Sequence, residues 1–237
     1  MRLLLTICNF LLFFNLYGQT KKIIYCFPGQ GSDKRIFDSL TIDTAFEVKI
    51  IEYGTPDKGM TLRSFAKELS KQIDTNRKFI LVGVSLGGMI CSELSDILSP
   101  EKTIIISSAK NRTELPFRYK FQRVIPIYKI FPGSFLLAGA KMLQPIVEPD
   151  RKKNKKTFKN MLSDKNATYM KRTIGLIIKW DKVDETKKIY HIQGSKDHTL
   201  PVRNIKDPDY DVDGGSHMMT LTRAGEISDI LNKILAE

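Results

Sequence analysis

From Ile23 to Phe27 the chain is apolar without a break and then turns at Pro28-Gly29. So short a run, closed by turn residues, predicts a strand covered on both faces. Phe79 to Val84 reads the same way, and Phe46 to Tyr53, Thr103 to Ile106, Ile189 to Ile192 and the weaker Tyr210 to Val212 read as further strands. Helical spacing lies between them. Leu62, Phe65, Ala66, Leu69 and Ile73 recur on one face behind Thr61, a suitable N-cap; Leu86 to Leu98 forms a second helix stopped by Pro100, and Glu226 to Leu235 a closing one. Strands alternating with helices predict an α/β fold with a doubly wound, mostly parallel sheet of about six strands.

The alternation breaks between 110 and 188. Helix-like stretches there are punctuated by Pro116, Pro126, Pro132, Pro145 and Pro149, and no strand pattern is present. We read 20–109 and 189–237 as the core and 110–188 as a helical cap. It is inserted before the penultimate strand, over the carboxyl edge where such sheets bind ligands. Phe117, Phe121, Ile125, Ile127, Tyr128, Phe131, Phe135, Leu136, Leu137 and Met142 are expected either to line a ligand pocket or to pack the cap.

Composition leaves this picture intact: 237 residues, 42% apolar and 27% charged, suit one domain with an insertion. Charge changes it. The net +12 points toward an acidic partner, but residues 110–190 hold twenty basic and seven acidic residues, while the rest is close to neutral. Any anionic surface or substrate is therefore expected at the cap. Nucleic acid is not expected, because the run Arg151-Lys152-Lys153-Asn154-Lys155-Lys156 has no recognition module around it and reads as a solvated helix face or loop.

The N-terminus reads as an address. Met1-Arg2 precedes an apolar run from Leu3 to Leu16 and a small or polar exit at Gly18, Gln19 and Thr20. That pattern predicts a signal peptide over 1–19 and export to the periplasm or the medium. An N-terminal membrane anchor is the alternative, although the run falls short of the roughly 20 apolar residues of a span. Cys26 and Cys91 sit in apolar stretches and are expected as free buried thiols. Neither has a CxxC partner or a histidine at metal spacing, so no metal and no cofactor is expected.

Gly83-Val84-Ser85-Leu86-Gly87-Gly88 lies where a strand ends and a helix begins. A hydroxyl on so sharp a turn is exposed for attack, and the helix amides behind it face any oxyanion that forms. A serine nucleophile needs a base, and the base needs an orienting acid. Gly194-Ser195-Lys196-Asp197-His198 follows the strand at 189–192, and Gly214-Gly215-Ser216-His217 follows the one at 210–212. Ser85, Asp197 and His217 thus occur in the order nucleophile, acid, base, each just past a strand. Of the other histidines, His191 reads as a strand residue and His198 as a competing base. Asp207, Asp209, Asp211 and Asp213 are alternative acids that read as solvated edges. A calcium loop opening at Asp209 fails at its twelfth position, Thr220. The oxyanion donors are expected to be the backbone N–H groups of Leu86 and of Gln30 or a residue one position away, in the Pro28-Gly29-Gln30-Gly31-Ser32 turn.

On these residues the chain resembles the α/β-hydrolase superfamily from Ile23 to the C-terminus, through FPGQGS, GVSLGG, GSKDHTLP and GGSHMM. It departs from larger members in having little room for the usual first two strands, and in beginning the oxyanion turn with Phe27-Pro28 rather than His-Gly. The resemblance implies a Ser-His-Asp hydrolase with a helical cap, for which a small-molecule acyl ester or thioester is the expected substrate. It also leaves room for an acyltransferase with the same triad, or a non-catalytic binding protein on the same fold.

Overall fold

The computed structural model describes residues 21–148 and 154–237. The expected signal peptide, and Arg151 to Lys153 of the basic run, lie outside the described residues. Six strands form one parallel sheet: β1 (Lys22–Phe27), β2 (Phe46–Ile50), β3 (Phe79–Val84), β4 (Lys102–Ile106), β5 (Tyr190–Gly194) and β6 (Tyr210–Val212). Their spatial order is β2-β1-β3-β4-β5-β6, and every pairing is parallel.

Alternate side chains of β1 feed two separate cores. Ile23, Tyr25 and Phe27 join α1 (Leu62–Leu69) and α2 (Leu86–Ile97) on one face; Ile24 and Cys26 join Ile227, Leu231 and Ile234 of the final helix on the other. Burial on both faces is why β1 and β3 are uninterrupted apolar runs, whereas the edge strand β2 is half-exposed and alternates Glu47 and Lys49 with apolar residues. Cys26 and Cys91 are free and buried, and burial pushes the Cys26 thiol up to about 12.

Several boundaries differ from the sequence reading. β2 ends at Ile50, and after Ile51 donates to the Cys26 carbonyl (2.9 Å) the chain leaves the sheet. Tyr53 instead turns its hydroxyl onto the Pro28 carbonyl and its ring onto Phe65. The helix capped by Thr61 is α-helical only to Leu69 and then tightens into a 3-10 turn over Ser70–Gln72. β5 runs two residues beyond Ile192, because the buried Gln193 amide finds acceptors in the Leu200 carbonyl (2.7 Å) and the Asp197 carboxylate (3.1 Å). A short helix, Met219–Thr222, precedes the final helix, Ala224–Ala236, and buries Thr220 where a calcium ligand would have to be exposed.

Between β4 and β5 the described residues form only helices and turns: α3 (Phe117–Val124), α4 (Gly133–Val147), α5 (Lys155–Ser163) and α6 (Ala167–Lys179). In chain order the short helix and the final helix are then α7 and α8. α3 and α4 both pack against α6. Leu162, Tyr169 and Met170, with Leu137 and Ala140, make a small core of their own against Tyr53.

Candidate active site

Ser85 stands between β3 and α2 with φ 53° and ψ −120°, a left-handed conformation that costs a non-glycine residue energy. The surrounding packing holds it there. Its N–H donates to the Ile106 carbonyl (3.0 Å), and its carbonyl accepts from Ser108 Oγ (2.7 Å) and the Gly88 N–H (2.9 Å). The turn closes only because glycines flank it. A Cβ on Gly87 would lie 2.0 Å from the Phe27 carbonyl oxygen, and one on Gly83 would lie 2.4 Å from the Gly87 carbonyl oxygen. The first turn of α2 therefore rests directly on the backbone at the end of β1.

Ser85, Asp197 and His217 meet at the carboxyl edge of the sheet. Ser85 Oγ lies 2.9 Å from His217 Nε2, and His217 Nδ1 lies 2.8 Å from Asp197 Oδ2. A carboxylate can only accept, so Nδ1 carries the proton and Nε2 is left to accept from the serine hydroxyl. The other oxygen of Asp197 accepts the N–H groups of Thr199 (2.7 Å) and Leu200 (2.8 Å), and Gln193 supports Oδ2. Four donors thus fix the orientation of one buried carboxylate. Burial alone would disfavour the imidazolium of His217, but the charge and hydrogen bond of Asp197, with the nearby Glu148, outweigh it and raise the pKa above the ordinary histidine value.

The competing residues are placed elsewhere. His198 is exposed, lining the same cavity without a bond to Ser85. His191 is fully buried, shares a hydrogen bond with Gln193 Oε1 (3.2 Å), and is pushed down to about 3 by burial and by Lys110. Asp209 accepts from the His191 N–H (2.8 Å), Asp213 is bonded to Ser195 Oγ (3.2 Å), and Asp207 and Asp211 are exposed.

Leu86 opens α2, so its N–H has no acceptor within the helix. Gln30 sits in the turn after β1 beside Ser85, and its side-chain amide donates to Thr173 Oγ1 on α6 (2.7 Å), tying that turn to the helices above. The cavity in front of Ser85 measures about 430 Å³, within the usual range for small-molecule sites. Its apolar wall comes from Met89, Tyr119, Leu143, Phe158, Met161 and Ile177. None of the ten apolar residues singled out between Phe117 and Met142 lines it. Most are exposed instead, with Tyr128 buried beneath them.

Two charged residues of the cavity escaped the sequence reading. Glu148, just past α4, is buried beside His217 and accepts the Met218 N–H (3.2 Å). Burial, reinforced by Asp197, lifts its carboxyl to about 7, against the pull of His217 and of hydrogen bonds from Ser216 and Met218. Its signal was present: it is the first acid after Glu114, set in the apolar stretch Pro145-Ile146-Val147. Arg118 on α3 donates to the Thr199 carbonyl, bridging the helical segment to the loop that carries Asp197.

No family model matches the chain, and no curated protein matches it. Solved structures do. An enol-lactonase from Burkholderia xenovorans LB400 superposes with a TM-score of 0.67 at 13% identity, over 93% of this chain and 94% of that one. The chain has the α/β-hydrolase fold. A hydrolase from Pseudomonas aeruginosa PA01 follows it with a TM-score of 0.66 at 16% identity (92% and 91% covered). An esterase from Thermogutta terrifontis does so at 0.63 and 12% (92% and 90%). Within the α/β-hydrolase fold the described residues form a six-stranded parallel sheet, with the helical segment between the fourth and fifth strands.

Proposed function

We propose that this chain is an exported serine hydrolase that cleaves a small carboxylic ester or thioester, with residues 110–188 as the cap over its site. The observation that carries the reading is the unbroken chain of contacts from Ser85 Oγ through His217 to Asp197 at the floor of an apolar cavity. His217 Nε2 takes the Ser85 proton as Oγ attacks the acyl carbon, and Asp197 stabilises the imidazolium. The tetrahedral oxyanion turns toward the N–H groups of Leu86 and Gln30, where the N-terminal end of α2 adds its dipole. Collapse expels the alcohol or thiol, protonated by His217. Water, activated by the same imidazole, then hydrolyses the acyl-enzyme.

The test is a series of p-nitrophenyl esters of graded acyl length, combined with fluorophosphonate labelling. Ser85→Ala is expected to abolish both, and full activity in that variant would refute the assignment. His217→Ala should be as damaging as Ser85→Ala, whereas His198→Ala should retain most activity. Export rests on the signal-like residues 1–19. Cell fractionation with N-terminal sequencing is expected to find an extracytoplasmic protein starting between Gly18 and Thr20, and an intact N-terminus in the membrane fraction would identify an anchor instead.

A further inference from the structure

Of the twelve large apolar residues exposed among the described residues, ten fall between Phe117 and Leu143. Val124 is 80% exposed, Ile130 79%, Phe117 77% and Met142 74%. So dense an apolar surface is unusual for a soluble face and marks an interaction site. It is built on two helices and the turn between them. Phe117, Phe121 and Val124 share one side of α3, with the Phe117 and Phe121 rings 5.7 Å apart. Phe135 and Met142 share one side of α4, with Phe131 and Phe135 stacked at 4.7 Å.

The charge on this surface has one sign. Arg118, Lys120, Arg123, Lys129 and Lys141 are all exposed, and residues 115–147 contain no Asp or Glu. Cations interleaved with outward apolar side chains are what an anionic bilayer recognises: long basic side chains meet the headgroups while the apolar ones enter below them. A second copy of the chain would bring like charges together and is disfavoured. Among the described residues no helix is long and apolar enough to cross a membrane, so contact would lie in the interface plane.

We propose that the face formed by α3, the 127–129 turn and α4 docks this protein onto an anionic lipid surface, with the mouth of the cavity toward the bilayer. The mouth belongs to the same face: Arg118 and Leu143 line the cavity, and Leu143 is itself exposed. Docking stands on the surface alone. Its consequence, that the ester or thioester is drawn from the membrane, rests on the hydrolase reading.

Co-sedimentation of the full chain with phosphatidylcholine vesicles, with and without phosphatidylglycerol, tests this. The full chain is expected to bind the phosphatidylglycerol vesicles, to release in high salt, and to bind pure phosphatidylcholine much less. The double variant Val124→Asp/Ile130→Asp should bind about tenfold less or weaker still, with unchanged kcat/KM on a short water-soluble ester. Ser85→Ala should bind like the wild type, which separates docking from catalysis. Unchanged vesicle binding by the double variant would overturn the proposal by placing the contact elsewhere, residues 1–20 included. Equal binding to neutral vesicles would overturn the anionic assignment. A dimer in sedimentation velocity that the double variant dissolves, without vesicle binding, would assign the face to a second copy.

Discussion

The sheet and the helical segment between β4 and β5 draw on the same apolar residue types, but from Phe117 to Leu143 the helical segment turns most of them outward. Ile104 in β4 is wholly buried between two helical layers, while Ile130 after the 127–129 turn is almost wholly exposed. Phe27 ends β1 inside the core, and Phe117 begins α3 in water. The charge is divided along the same line, since the excess of basic residues lies at 110–190. In the sheet, apolar residues are needed for the fold to exist. In the helical segment Leu162, Tyr169 and Met170 hold the helices together, Phe158, Met161, Leu176, Ile177 and Trp180 pack into the cores of the sheet, and ten others between Phe117 and Leu143 face outward. Hydrophobicity in this chain therefore has two uses, distinguished by burial and not by residue type.

Four substitutions sharpen or break that contrast. The largest effect belongs to the chemistry on the sheet edge. Asp197→Asn leaves the packing in place but removes the acceptor that sets the His217 tautomer, and kcat/KM should fall about 10³–10⁴-fold with little change in melting temperature. A loss confined to stability would show that Asp197 only braces its loop. Next comes Ile104→Ala, expected to cost about 2–5 kcal/mol in a denaturant titration through the cavity it leaves.

Glu148→Gln probes the carboxyl that the helical segment contributes to the site. In the proposed hydrolase the acid limb of kcat/KM reports loss of the His217 proton, and the negative neighbours hold that proton to higher pH. Removing the Glu148 charge weakens that hold, so the acid limb should move to lower pH while the protein stays folded. An unmoved limb would mean that Glu148 acts only as a brace for the Met218 N–H. The smallest effect is Ile130→Ala, which should alter stability by no more than about 0.5 kcal/mol. If it instead matched Ile104→Ala, the outward face would be part of the core after all and the contrast would fail.

Much of the architecture was legible in the chain because the signals are local. β3 begins and ends at the residues where the apolar run does, and β6 spans the expected Tyr210 to Val212. Thr61 caps α1 through a reciprocal pair with Ser64. Less legible were elements whose polar residues are satisfied from afar. β5 continues through Gln193 because the Asp197 loop supplies its partners, and no reading of residues 189–194 alone contains that loop.

The candidate site divides in the same way. The spacing of Gly83, Ser85 and Gly87 and the chain order of Ser85, Asp197 and His217 can be read from sequence. Strand ends in a parallel sheet share one edge, so residues just past them are brought near one another whatever the connections between. The burial of Glu148 beside His217, the bridge from Arg118 to Thr199 and the outward aspect of Phe117, Val124 and Ile130 were decided by tertiary packing alone. Helical periodicity says which residues share a face. Whether that face meets a core, a cavity or solvent depends on what the rest of the chain places against it.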